Sequence, residues 1–123
     1  MKMLLLDVQN NEVKVVEVNG LEDYYKYIGC SVIDIVRRTI GDITVEIVCD
    51  DEGTFYEHPK ASAIDVTGKP CLYGNLLVAG GEVIDGNLTE LTEDEIDYLK
   101  AFIIEVTTSY YKEPFKVFWE MDY

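Results

Sequence analysis

Positive charge is what this chain has least of. Lysine and arginine number ten against twenty-four aspartates and glutamates, a formal net charge of −14, with one histidine. Such a balance repels phosphate backbones and anionic headgroups, so direct nucleic-acid binding and membrane-surface docking are not expected. Long apolar runs are also missing. Leu4-Leu5-Leu6 falls far short of the roughly 18 to 20 residues that cross a bilayer, and no small-residue cleavage site opens the chain, so a cytoplasmic protein is expected. Cys30, Cys49 and Cys71 are odd in number and fit neither a disulfide framework nor paired zinc knuckles, so reduced thiols are expected. With a single histidine, no G-x-S-x-G elbow and no phosphate loop, the inventory points away from an enzyme and from any cofactor.

What is present suffices for one folded domain. The 123 residues are 48% apolar and 11% aromatic, enough to offset the entropy of ordering without metal or disulfide staples. The pattern predicts an α+β fold, a small, mostly antiparallel sheet with two or three helices, as a single domain over 1–123 in which 107–123 is a C-terminal strand extension.

Lys2 to Val8 and Glu12 to Val18 form an expected hairpin through Gln9-Asn10-Asn11. Asn19 is placed to cap a short helix from Leu21 to Ile28, with Glu22 and Asp23 in its first turn and Gly29 ending it. Ser31 to Ile40 fits a strand or a short helix with Ile33, Val36, Arg37 and Ile40 on one side; its β-branched content favours strand. Asp42 to Cys49 alternates as a half-buried strand, and Asp50-Asp51-Glu52-Gly53 reads as a turn. Further strands are predicted at Ala61 to Val66 and Leu72 to Ala79, the latter closed by Gly80-Gly81.

Thr92-Glu93-Asp94-Glu95 is a capping box, and the helix it opens is expected to align Ile96, Leu99, Ile103 and Val106 on one face. The tail from Tyr110 to Tyr123 holds Phe115, Val117 and Trp119 at alternate positions. It is expected to form a last strand at a sheet edge, where Phe115, Phe118 and Trp119 would invite self-association.

The run Val45-Glu46-Ile47-Val48-Cys49-Asp50-Asp51-Glu52-Gly53, followed by His58-Pro59-Lys60-Ala61 and Tyr73-Gly74-Asn75-Leu76-Leu77-Val78, resembles the domain of unknown function 3846 family. The likeness covers about Met3 to Ile104; this chain has His58 where family members often have asparagine. The resemblance implies an accessory protein of a phage or mobile element and brings no catalytic residues.

Two candidate sites follow. Between Glu82 and Glu105 stand eight acids against Lys100 alone, a net −7, and on a helix continuing to Val106 the acids Asp94, Asp97 and Glu105 fall opposite the apolar face with Glu93 on its flank. Such a surface suits a basic protein partner, or a protein whose own ligand is DNA; a DNA-mimic, antirestriction-like inhibitor is the narrower version. A solvated helix face whose early acids favour the helix dipole is the plainer reading. The second site is Tyr73, Gly74 and Asn75, whose glycine can bring backbone amides close to a small molecule or nucleotide, although a bulge explains the glycine equally well.

Tyrosines, among them Tyr24, Tyr25, Tyr27, Tyr110 and Tyr111, add amphipathic contact area. A Cys₃His zinc site from Cys30, Cys49, Cys71 and His58 is the weakest candidate, because Cys49 continues the apolar alternation of Ile43, Val45 and Ile47.

Overall fold

In the computed structural model, which describes residues 1–52, 60–108, 110–111 and 113–122, the triple leucine near the N-terminus explains the layering. Successive strand side chains point to opposite faces. Leu4 and Leu6 enter one apolar cluster while Met3 and Leu5 enter another, which requires the strand to be covered on both sides. That strand, β1 (Lys2–Asp7), lies inside a six-stranded antiparallel sheet with β2 (Glu12–Glu17), β3 (Ile33–Ile40), β4 (Ile43–Asp50), β7 (Leu76–Ala79) and β10 (Met121–Asp122), ordered β10-β3-β4-β7-β1-β2. A second sheet, ordered β6-β5-β9-β8, joins β5 (Ala61–Ile64), β6 (Pro70–Tyr73), β8 (Ile103–Val106) and β9 (Phe115–Phe118).

The helix α1 (Leu21–Ile28) covers one face of the large sheet, setting Ile28, Tyr24 and Tyr27 against Leu5, Val48 and Leu77. The small sheet and the helix α2 (Glu93–Lys100) cover the other, setting Phe118, Ala63, Ile96 and Leu99 against Leu4, Leu6, Ile47 and Val78. The architecture is α+β, but with two sheets where one was expected, and two helices among the described residues. None of those helices is long and apolar enough to cross a membrane.

Several elements match their sequence signals. The N-terminal hairpin forms, each strand ending one residue short of expectation at Asp7 and Glu17, Ser31 to Ile40 contributes the strand Ile33–Ile40, and Gly29 closes α1 in the left-handed region at φ 77° with its amide on the Tyr25 carbonyl. Four expectations are corrected. Asn19 does not cap α1: Gly20 holds the N-cap without a side-chain bond, and the Asn19 amide instead donates to the Asp23 carboxylate at 2.8 Å.

The helix opened by Thr92 stops at Lys100, and Ile103 to Val106 is a strand. Two β-branched residues in a row there gain more from an antiparallel ladder with β9, from Ile103↔Phe118 to Val106↔Phe115, than from another helical turn. Leu72 to Ala79 is two strands in different sheets, broken where Gly74 takes φ 80°, a conformation other residues reach only with strain. The strand that carries Phe115 and Val117 is not an edge strand: β9 lies between β5 and β8 with Phe115 and Phe118 buried, while the two-residue β10 takes the end position of the large sheet beside Thr39 and Ile40. Gly53 of the predicted turn lies outside the described residues, as does His58.

Candidate interaction surface

The first three residues of α2 are acidic, and the peptide dipoles of a helix favour negative charge there. Its start is fixed by the predicted capping box: the Glu95 amide donates to the Thr92 hydroxyl at 3.1 Å, and the Thr92 amide donates to the Glu95 carboxylate at 2.9 Å. Ile96 and Leu99 bury the inner face. At the far end Tyr98 and Phe102 grip the β3–β4 turn, where the Asp42 amide donates to the Tyr98 hydroxyl at 2.9 Å and the Phe102 ring closes on Gly41, leaving no room for a Cβ. With one face thus held, the opposite one is committed to solvent.

Asp94 and Asp97 stand on that outer face and Glu93 on its flank, all three exposed, and none makes an ion pair among the described residues. The fourth predicted member, Glu105, is not with them; it is exposed on β8 opposite Lys116. Two more acids of the segment serve the fold: Glu95 closes the capping box, and Glu90 accepts from the Lys2 amide at 3.0 Å. Glu82 and Asp85 are exposed on the preceding hairpin, whose tip is closed by reciprocal Ile84 and Asn87 backbone bonds of 3.0 and 2.9 Å. Asp85 and Gly86 both take positive φ there, as an Asp-Gly turn of the hairpin type requires.

The basic side chains are used differently. The Arg37 guanidinium binds the buried Glu46 carboxylate at 2.7 Å and the Gly81 carbonyl at 2.8 Å. Lys60 lies 4.8 Å from the Tyr111 ring centroid and 5.0 Å from that of Phe115 while donating to the Val8 carbonyl. Lys116 donates to the Asn11 carbonyl and Lys14 pairs with Glu12. Arg37, Lys60 and Lys116 are thus engaged by groups of the fold, while Glu93, Asp94 and Asp97 make no ion pair among the described residues. The Arg37–Glu46 pair was missed in the sequence. Its signal is the register of a hairpin centred on Gly41-Asp42, which places those two residues opposite each other.

The Tyr73-Gly74-Asn75 stretch is the crossover between the two sheets. Asn75 is buried and committed at both ends of its amide: Oδ1 accepts from the Val8 amide at 3.0 Å, and Nδ2 donates to the Tyr27 carbonyl at 2.9 Å. The Gly74 amide is bonded to the Lys60 carbonyl. Tyr73 lines a shallow cleft of about 180 Å³ with Asp34, Arg38, Cys49, Asp50 and Leu72, while Gly74 and Asn75 do not.

Burial, with the Asp34 charge beside it, pushes the Cys49 thiol up to about 11, so at neutral pH the cleft offers a thiol and not a thiolate. The three cysteines do not converge: Cys49 belongs to the cluster facing the small sheet, Cys30 packs on the α1 side, and Cys71 lies beside Met121. Among the described residues no group of three acids, histidines or cysteines is placed to hold a metal.

The family described as domain of unknown function (DUF3846) matches residues 1–103. The chain belongs to that family. The match takes in the DUF3846 segment from β1 to the end of α2, and β9 and β10 lie beyond it. No curated protein and no solved structure matches the chain.

Proposed function

We propose that this DUF3846 protein is a non-enzymatic binding module of a phage or mobile element, acting in the cytoplasm on a basic protein partner through the outer face of α2. The observation that carries the reading is the triad Glu93, Asp94 and Asp97. These carboxylates are held on a capped helix and left without ion pairs among the described residues, whereas Arg37 is paired with Glu46 and Lys14 with Glu12. Charges arranged this way raise the association rate with a positively charged surface and select against a negative one. A partner whose own ligand is DNA fits the same chemistry.

The test compares the parent with Glu93→Gln/Asp94→Asn/Asp97→Asn in affinity capture from host lysate across a salt series. A protein retained by the parent at low salt, released at high salt and not retained by the neutralised triple supports the reading. Equal capture by both, insensitive to salt, overturns it.

A further inference from the structure

The strand β3 pairs with β4 along its whole length, from Ile33↔Asp50 to Ile40↔Ile43, but on its other side β10 covers only Thr39 and Ile40. From Ile33 to Arg38 that outer side has no strand partner among the described residues. Alternation of the backbone fixes which groups face outward. The Val32 carbonyl accepts from the Asp51 amide on the β4 side, and the Gly41 amide donates to the Glu120 carbonyl on the β10 side. Even-numbered residues of β3 therefore direct their amides and carbonyls to β4, and Ile33, Ile35 and Arg37 direct theirs to the open edge.

Two of those outward groups are occupied by neighbouring side chains. The Ile35 amide donates to Asp34 Oδ1 at 2.9 Å, and the Arg37 carbonyl accepts from the Arg38 guanidinium at 2.9 Å. The same stretch is apolar on its surface, with Val32 and Ile35 exposed at 43% and 45%. An exposed strand edge with β-branched residues is a template for another strand. The opposite edge of the sheet, β2, is blunted in another way, by Glu12, Lys14 and Glu17, with Glu12 and Lys14 paired at 3.4 Å.

We propose that Asp34 and Arg38 guard the open edge of β3, occupying the amide of Ile35 and the carbonyl of Arg37 so that β3 of a second copy of this chain cannot pair with it. The geometry of such a pairing is isologous: one edge meets its own copy antiparallel, and each copy must give up both caps at once. The net −14 opposes the same encounter at long range, but salt screens that repulsion, whereas a hydrogen-bonded cap acts at contact.

The mean mass of the full chain by light scattering reads the effect directly. Asp34→Ala/Arg38→Ala is expected to show about a doubling of mass at concentrations where the parent is monomeric, with unchanged circular dichroism. Asp34→Asn/Arg38→Lys, which keeps an acceptor and a donor, is expected to stay at the parent mass. Adding Ile35→Pro to the alanine pair removes the outward amide and returns the monomer. A folded alanine pair of parental mass overturns the proposal. So does association of the asparagine–lysine pair equal to that of the alanine pair, since charge and not capping would then be the guard. Where Arg38→Ala unfolds the chain, Asp34→Ala/Arg38→Met, which keeps the aliphatic stem and removes both caps, gives the same two-sided answer through its mass.

Discussion

The two faces of the six-stranded sheet are sealed by different means. On one, α1 is an eight-residue helix that contributes one fully buried side chain, Ile28, and leaves Tyr24 and Tyr27 half-buried at its margin. On the other, a second sheet and α2 bring Phe118, Leu99, Ala63 and Ile96 into contact with the strands, the first three wholly inaccessible. Closure by a short amphipathic helix depends on a few side chains, while closure by a sheet spreads the burial over several strands. The lesson is that the second face carries the larger share of the hydrophobic stabilisation and that α1 is the element most readily loosened.

The largest expected effect tests that asymmetry directly. Phe118→Ala empties a fully enclosed site between the sheets and is expected to lower stability by about 3–5 kcal/mol in urea unfolding. Ile28→Ala, at the rim of the α1 face, is expected to cost about 2 kcal/mol, since the margin can relax. Equal losses, or a larger one at Ile28, would show that the helix and not the second sheet carries the core.

The next prediction concerns the side chain that ties the faces together. Asn75 is the last residue of the crossover, just before β7, and its amide links Val8 at the end of β1 to the carbonyl of Tyr27 in α1. Asn75→Ala leaves a buried amide and a carbonyl unsatisfied, at a cost of about 2–4 kcal/mol. Amide exchange of α1 is expected to accelerate more than that of α2, because only α1 loses a tether. Equal acceleration in both helices would mean that Asn75 acts on the whole fold and not on one face.

Much of this arrangement was legible in local signals. Gly29 at the end of α1, the Thr92–Glu95 capping box and the alternation through Ile43 to Cys49 each depend on neighbours within a few residues, and each appears where its chemistry puts it. Apart from the N-cap of α1, where Gly20 takes the place expected of Asn19, the failures are places where a partner outside the local turn decides. Ile103 to Val106 continues the apolar period of α2, so the sequence reads as helix, yet β9 offers it a ladder beyond the reach of a helical turn, from Ile103↔Phe118 to Val106↔Phe115. Leu72 to Ala79 is apolar on both sides of Gly74-Asn75, and only the existence of two sheets explains why it must break at Gly74.

The candidate surface inherits the first of these errors. Asp94 and Asp97 share the outer helix face with Glu93 on its flank, as the period predicts, while Glu105 falls on that face only on a helical turn that does not form. Asn75 stood out in sequence for the right reason, a polar residue beside a glycine between apolar runs, but the partner of its amide is the fold itself.

The smallest effect separates the faces chemically. Cys49 lies under the small sheet and Cys30 at the margin of α1, so the two thiols report on one face each. Burial raises both above their ordinary value of 9.0, with Asp34 adding to the effect at Cys49 and Asp50 at Cys30, and Cys49 reaches about 11. In the unfolded chain each ionises near its ordinary value, so the unfolded state loses its proton first as pH rises. The contribution of a raised thiol is therefore fully present below about pH 9 and is lost between there and the folded value, about 11 for Cys49.

Stability measured from pH 8 to 11 is expected to fall, and Cys49→Ala is expected to flatten that fall more than Cys30→Ala does. A thiol reagent at pH 8 is expected to modify the partly exposed Cys30 before the buried Cys49. If Cys49 reacts first, the face closed by two sheets opens more readily than the one closed by a single helix, and the order of the two faces is reversed.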